Sequence, residues 1–167
     1  QTLALMQRSA DDPRRMVTLA RRQERELRSW LYGAPTAGDA APGLAALVEA
    51  ICAQVEDDHH VRVDLVVVGD TEVTPAVDAL SGAVREALVN AAKHSGQDVV
   101  AVFVEVQPHQ VVAFVRDTGK GFDASIPSPE GRGIELSVRE LLARAVGQAI
   151  LTAAPGHGVE WELGVPR

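Results

Sequence analysis

The sequence predicts an α/β two-layer sandwich, a mixed sheet with helices on one face, preceded by a helical arm. Five short runs rich in β-branched residues alternate with three amphipathic helical patterns, in the order helix, strand, helix, strand, strand, helix, strand, strand. Consecutive strands joined by hairpins favour a largely antiparallel or mixed sheet over a purely parallel one. A chain of 167 residues that is 46% hydrophobic can bury one sizeable core.

Composition excludes several classes of partner. A net charge of −7 argues against a nucleic-acid or anionic-membrane surface, because phosphate groups demand a basic footprint. The single cysteine, Cys52, cannot form an internal disulfide or a multi-cysteine zinc site, and its apolar helical surroundings predict a buried, inert thiol. No signal peptide opens the chain and no stretch approaches ~18 consecutive apolar residues, so we expect a cytosolic piece whose membrane attachment, if any, lies outside this sequence.

The first domain is predicted over residues 1–34 as part of a helical hairpin. Gln1–Arg8 is expected to be the tail of one helix, and Asp12-Pro13 starts a second that runs to about Tyr32. Its apolar seam is spaced 4, 3, 4 and 3 residues apart, at Met16, Ala20, Gln23, Leu27 and Trp30. Such a narrow seam with a charged exterior needs a partner, so we expect a homodimer. The alternative is an arm packed back on its own domain.

A linker of glycine, proline and alanine separates this arm from the second domain, predicted over residues 35–167. The predicted elements of the second domain are helix Leu44–Asp57, strand Val61–Val68, helix Thr74–His94, strands Val99–Val106 and Val111–Val115, helix Ile134–Val146, and strands Ala149–Ala153 and Val159–Val165.

One helix carries an unusual polar stripe. Glu86, Asn90 and Lys93 share a narrow face, while apolar residues cover the opposite side. A solvated helix face is one interpretation. However, asparagine is a poor interior helix residue because its side chain competes for backbone hydrogen bonds, which hints at function.

Two glycine motifs follow. Asp117-Thr118-Gly119-Lys120-Gly121 leaves a strand, where a carboxylate could accept a hydrogen bond from an exocyclic amine and glycines would let a flat ring approach the backbone. The motif alone could equally be a turn. Gly131-Arg132-Gly133 precedes a predicted helix, as a hinge or as a phosphate-binding helix start. The ordered combination of these motifs with the polar stripe is much less ambiguous than any one of them.

The ordered set resembles the Bergerat-type ATPases, which include gyrase, Hsp90, histidine kinases and MutL. The short loop between the glycine motifs and the Lys93-His94 pair look specifically like sensor histidine kinases of the HisKA_3 class, and Arg22–Arg28 resembles the second helix of that class's dimerisation domain. The matching positions are Glu86, Asn90, Lys93 and His94 for the N box, Asp117–Gly121 for the first glycine box, and Gly131–Gly133 for the second.

This resemblance implies roles on the phosphate side of an ATP site. Asn90 would coordinate Mg²⁺ that bridges the phosphates, which suits an amide oxygen. Glu86 would polarise the accepting histidine or a metal-bound water as general base. Lys93 and His94 would neutralise phosphate charge.

The resemblance also implies the base side and a lid. Asp117 would recognise the adenine amino group, and Gly119 and Gly121 would line the base pocket. Gly131 and Gly133 would close a lid over the phosphates. The implied reaction is ATP-dependent phosphoryl transfer to a histidine, for relay to the receiver domain of a response regulator.

Two rival functions remain open at this point. An anti-sigma-factor serine kinase shares the ATP motifs but normally lacks the paired-helix arm, and a non-catalytic ATP-binding or dimerising module would not need to retain Glu86, Asn90 and Asp117 together. No histidine precedes His59, so we expect a fragment without the phosphoacceptor, which binds Mg·ATP but does not autophosphorylate.

Overall fold

A computed structural model describes residues 42–123 and 129–167, with the side chains of residues 129–135 left undescribed. The described residues belong to one compact unit, Ala41–Arg167. The predicted arm over residues 1–34, its coiled-coil seam and most of the linker lie outside the described residues, so the domain boundary at residue 34 stays a prediction.

The order of elements confirms the predicted fold class. The elements are α1 (Leu44–His59), β1 (Arg62–Val68), α2 (Pro75–His94), β2 (Val99–Val106), β3 (Gln110–Asp117), α3 (Pro129–Ala143), β4 (Gln148–Ala154) and β5 (Gly158–Pro166). None of the helices in the described ranges combines the length and the apolar character needed to cross a membrane.

The five strands form one mixed sheet in the order β1-β2-β3-β5-β4. β1 pairs with β2 in parallel, because α2 forms the crossover between them, and the other three pairings are antiparallel. In β2, buried valines alternate with exposed residues such as Phe103, as expected of a sheet covered on one face.

Helix α2 supplies much of the core beneath the sheet. Leu80, Val84 and Leu88 are fully buried at helical spacing, and each contributes roughly 1.5–3 kcal/mol of apolar burial. Thr74 caps the helix, with its Oγ1 accepting a hydrogen bond from the Val77 amide at 3.3 Å. The apolar side of α2 is therefore anchored, which leaves its polar side to border open space.

Helix α1 is capped from a distance. Gly43 occupies its N-cap position and offers no side chain, so Asp70 takes that role: its Oδ1 accepts a hydrogen bond from the Ala45 amide at 3.0 Å. The Thr71 carbonyl accepts a second from Leu44 at 2.9 Å. The loop after β1 thus satisfies two amides that would otherwise lack partners.

Helix α3 begins five residues earlier than the sequence predicted, at Pro129 rather than Ile134. Proline suits a first helical position because its fixed φ matches the helix and its missing N–H would have no partner there. Two glycines inside the first turns each disfavour a helix by about 1 kcal/mol relative to alanine. Complete burial of Val138 and Leu142, which were predicted to face inward, stabilises the helix.

Candidate functional site

A cavity of about 230 Å³ opens between α2 and the ends of β3 and β5. Four of its lining residues come from α2 at positions i, i+3, i+4 and i+7, which is one face of a helix. The lining residues are Ala87, Asn90, Ala91, His94, Ser95, Val115, Asp117, Lys120, Gly121, Phe122, Leu151, Val159 and Trp161.

One residue of the predicted polar stripe, Asn90, lines the cavity, and His94 lines it one turn further along α2. Glu86 lies one turn before Asn90, and its Oε1 accepts a long hydrogen bond of 3.4 Å from Asn90 Nδ2. This contact directs the Asn90 amide group toward Glu86 and leaves the carbonyl oxygen of Asn90 for another partner. Lys93 is exposed and is not among the lining residues, so its predicted phosphate contact stays a prediction.

Asp117 is the most buried charged residue of the cavity wall, with a relative exposure of 4%. Its Oδ1 accepts a hydrogen bond from the Gly119 amide at 2.8 Å, which closes the tight turn after β3. The second oxygen, Oδ2, has no hydrogen-bond partner among the described residues. Every side-chain oxygen there that is sealed from solvent does have a partner, so Oδ2 must be accessible from open space. The cavity therefore has a carboxylate oxygen ready to accept a hydrogen bond.

The glycines of the first motif are required by close backbone contacts. Gly121 has a φ of +56°, and a Cβ there would clash with the backbone carbonyl oxygens of Ala154 and Gly158. A Cβ on Gly119 would clash with the carbonyl of Ser95. These positions confirm that the loop lies against other backbone, although Gly121 lines the cavity and Gly119 does not.

Ser95 joins the end of α2 to this glycine loop. It is 6% exposed, and its carbonyl accepts a hydrogen bond from the Lys120 amide at 3.2 Å. Its Oγ accepts another from the Gln97 amide at 3.1 Å. The loop is held from the other side as well, because the Lys120 carbonyl accepts a hydrogen bond from Gly156 at 2.7 Å.

Sequence reasoning missed the apolar walls of the cavity. The sequence placed Trp161 in the strand Val159–Val165 and ended the helix Thr74–His94 just before Ser95, and neither residue was assigned to a site. The alternation of side chains along β3 and β5 could have indicated two of these residues. Val115 and Trp161 lie two positions from Asp117 and Val159, so they face the same side of the sheet. The lining residues that were not predicted are the polar Ser95 and the apolar Ala87, Ala91, Val115, Phe122, Leu151, Val159 and Trp161.

Gly131 and Gly133 lie inside α3, whereas the sequence predicted them before its first turn. Because the side-chain environment of residues 129–135 is not described, their expected role in a phosphate lid stays a prediction.

The cavity suits a flat ligand with one polar edge. Its sheet side consists of apolar and aromatic side chains together with the Asp117 carboxylate, and its α2 wall offers an amide and an imidazole. Within residues 42–123 and 129–167, no group of three or more histidine, cysteine or acidic residues could hold a metal ion. A metal here would need ligands from a bound molecule, which is how Mg²⁺ usually binds together with nucleotide phosphates.

Comparison with known structures identifies the fold. The histidine kinase domain of a blue-light activated histidine kinase from Erythrobacter litoralis matches 92% of this chain and 73% of its own, with a TM-score of 0.62 and 23% identity. The ATP-binding domain of PrrB from Mycobacterium tuberculosis matches 75% of this chain and 94% of its own, with a TM-score of 0.59 and 22% identity. The mycobacterial sensor histidine kinase MprB gives a TM-score of 0.56 at 18% identity, over 75% of this chain and 95% of its own.

A curated relative agrees with these structures. The signal transduction histidine-protein kinase/phosphatase DegS of Brevibacillus brevis is 27% identical over 126 residues, which is 74% of this chain. The chain spans about a third of that relative's length, 32%. No protein-family model matches the chain. The described residues thus have the fold of histidine kinase ATP-binding domains, as the resemblance implied, while the HisKA_3 assignment stays a prediction.

Proposed function

We propose that this chain, whose fold is that of histidine kinase ATP-binding domains, is the catalytic ATP-binding region of a two-component sensor histidine kinase. The observation that carries the proposal is the buried Asp117 carboxylate, which faces an apolar cavity with Asn90 on the opposite wall. A carboxylate in this position is suited to an exocyclic amine, and the amide is suited to a cation that accompanies phosphates.

The base-side residues bind and orient adenine. Asp117 Oδ2 accepts a hydrogen bond from the 6-amino group, while Oδ1 stays fixed by the Gly119 amide. Val115, Leu151 and Val159 supply apolar contacts to the faces of the ring. This arrangement separates the two oxygens of one carboxylate into a structural and a ligand-binding role.

The phosphate-side residues lie along α2. The Asn90 carbonyl oxygen would be one ligand for Mg²⁺, and the contact from Asn90 Nδ2 to Glu86 leaves that oxygen available. When bound, the ion neutralises phosphate charge and aligns the γ-phosphoryl group. His94 at the cavity edge, and the exposed Lys93 beyond it, supply positive charge or hydrogen-bond donors to the phosphates.

The transferred phosphoryl group goes to a histidine imidazole supplied from outside the described residues. As an imidazole nitrogen forms its bond to the γ-phosphorus, the bond from that phosphorus to the β–γ bridging oxygen breaks and ADP leaves, while Glu86 accepts the imidazole proton. We place this reaction in the cytoplasm, with a homodimer formed through residues 1–34 and the receiver domain of a response regulator as partners. Positioning and charge neutralisation supply most of the rate enhancement in such transfers.

Calorimetric titration of the chain with ATP, with and without Mg²⁺, tests the proposal. Asn90→Ala should reduce the affinity for ATP in the presence of Mg²⁺ at least about tenfold, because losing a residue that only supports a metal ligand already has an effect of that size. The affinity for ATP without Mg²⁺ should change little. Gln97→Ala removes an exposed amide just beyond the same helix and serves as the matched control. Equal Mg·ATP affinity for Asn90→Ala and the parent chain would refute the assignment.

Phosphoryl transfer needs a separate measurement. The chain is mixed with radiolabelled ATP and an acceptor protein that carries a histidine-kinase dimerisation domain, and acid-labile phosphate is counted. Glu86→Gln should abolish the label while keeping ATP affinity. Label that persists in Glu86→Gln would remove Glu86 from the role of base.

A further inference from the structure

Trp161 is a buried aromatic side chain of the cavity wall whose ring N–H donates no hydrogen bond within the described part of the chain. Trp161 lies in β5, is 3% exposed and lines the cavity. Among residues 42–123 and 129–167, the indole N–H of Trp161 has no hydrogen-bond partner. Every side-chain nitrogen in those ranges that is sealed from solvent does have a partner, so the indole nitrogen must be accessible to solvent. Trp161 lines the cavity, so we infer that its ring N–H is accessible from there.

The strand register places this donor near Asp117. In the β3–β5 pair, Asp117 is opposite Val159 and Val115 is opposite Trp161. Alternation puts all four side chains on the cavity side of the sheet, with Asp117 and Trp161 as diagonal neighbours. Such neighbours are about 7–8 Å apart at the backbone, which is within reach of an aromatic side chain. The floor thus carries an acceptor and a donor separated by apolar valines.

This pairing has a chemical complement. A 6-aminopurine presents an amino donor and, on the same ring system, nitrogen acceptors, whereas a 6-oxopurine presents an acceptor where the amino group would be. An indole N–H in an apolar wall is unfavourable unless it finds an acceptor, and a phenyl ring would fill the same wall without that cost.

We propose that Trp161 is a specificity-determining residue, whose Nε1–H donates a hydrogen bond to a ring nitrogen of the base while Asp117 accepts from the amino group. The proposal rests on the proposed ATP-binding function and deepens it. It gives the site a two-point test for the base: one group that must donate and one that must accept.

The experiment compares ATP with 1-deaza-, 3-deaza- and 7-deaza-ATP, each of which lacks one ring nitrogen, by calorimetry on the parent chain and on Trp161→Phe. The parent should bind one analogue about threefold to tenfold more weakly than ATP, the usual range for one hydrogen bond. Trp161→Phe should bind ATP more weakly by a similar factor and should bind that analogue as well as it binds ATP. Melting midpoints of both proteins establish that the variant is folded.

Indole fluorescence gives an independent readout. In a Trp30→Phe background Trp161 is the remaining tryptophan of the sequence, and ATP should shift its emission, whereas the analogue lacking the bonded nitrogen should shift it less.

Three results would overturn the inference. The parent chain binds all three analogues as tightly as ATP; Trp161→Phe keeps full ATP affinity; or the variant loses the same factor for ATP and for every analogue, which would indicate packing alone. The first result needs no variant, so a misfolded Trp161→Phe cannot hide the answer. Absence of any ATP binding by the parent chain would overturn the proposed function as well, so the two failures are distinguishable.

Discussion

Replacing Asp117 with asparagine separates the structural role of its side chain from its role in recognising the base. The variant keeps a carbonyl oxygen for the 2.8 Å hydrogen bond from the Gly119 amide, so the turn after β3 should survive. The other oxygen becomes an amide NH₂, which would face the adenine amino group donor to donor. The loss of a hydrogen bond to a charged acceptor is worth about 1.5–3 kcal/mol, or roughly tenfold to 150-fold in ATP affinity.

The expected change in stability is small by comparison. Asparagine is nearly isosteric with aspartate, and removing a charge from a site that is 96% buried does not leave a new charge unpaired. We therefore expect Asp117→Asn to melt close to the parent chain, whereas Asp117→Ala should lose both ATP affinity and about 1–3 kcal/mol of unfolding free energy, because the Gly119 amide loses its partner.

Inosine triphosphate makes this prediction sharper. Its 6-oxo group accepts where adenine donates, so Asp117→Asn should improve ITP affinity relative to ATP affinity compared with the parent chain. Calorimetric titration of the parent chain and of Asp117→Asn with ATP and with ITP gives the four affinities, and thermal unfolding shows whether the variant is folded. Unchanged ATP affinity in a folded Asp117→Asn variant would refute the reasoning, since the carboxylate would then not recognise the base.

Three further predictions concern stability. Gly121→Ala should lower the unfolding free energy by at least about 2 kcal/mol, because a left-handed φ alone costs alanine about 1–2 kcal/mol and the new Cβ would clash with backbone atoms. Gly82→Ala, which places its Cβ in open space inside α2, should raise the unfolding free energy by about 0.5–1 kcal/mol. Urea unfolding compares the two variants. Asp70→Ala should cost about 1 kcal/mol through the lost cap on α1, while Asp98→Ala, at an exposed position, should stay within about 0.5 kcal/mol; equal effects in denaturant melts would contradict the capping role. Burial, with smaller contributions from two nearby glutamates, raises the pKa of the Cys52 thiol to about 12, so the folded chain should resist thiol reagents at pH 8. The thiol of the unfolded chain ionises above about pH 8.5, whereas that of the folded chain does not until about pH 12. The unfolding free energy should therefore fall across that window by up to about 1.4 kcal/mol per pH unit. If the unfolding free energy of Cys52→Ala falls as steeply with pH, the raised pKa of Cys52 is contradicted.

Local periodicity was enough to predict the elements and the fold class. The alternation in β2 and the helical spacing of Leu80, Val84 and Leu88 follow directly from which side of each element is buried. The prediction that Cys52 is a buried thiol is also confirmed, since the residue is 5% exposed. Boundaries were less accurate, as the early start of α3 at Pro129 shows, because packing of distant helical residues outweighs the local penalty of two glycines.

Contacts between distant segments could not be predicted from local pattern. The cap on α1 comes from Asp70, 25 residues beyond the amide it binds, and no local signal marks it. The candidate site was predicted where motifs are contiguous, as with Asn90 and Asp117. It was missed where an ordinary apolar position becomes a cavity wall only through the strand register, as with Trp161.

The position of β5 between β3 and β4 has a consequence for the timing of synthesis. The ribosome makes the α2 wall and the Asp117 loop many residues before Gly158–Pro166, yet that late strand must insert between two others to complete the cavity floor. Gly121 packs on the Gly158 carbonyl and Trp161 lies beside Val115, so neither surface exists before β5 arrives. We therefore expect the cavity floor to be complete only after β5 has been made, and a chain truncated before Gly158 should lack Val159 and Trp161 from the proposed base site.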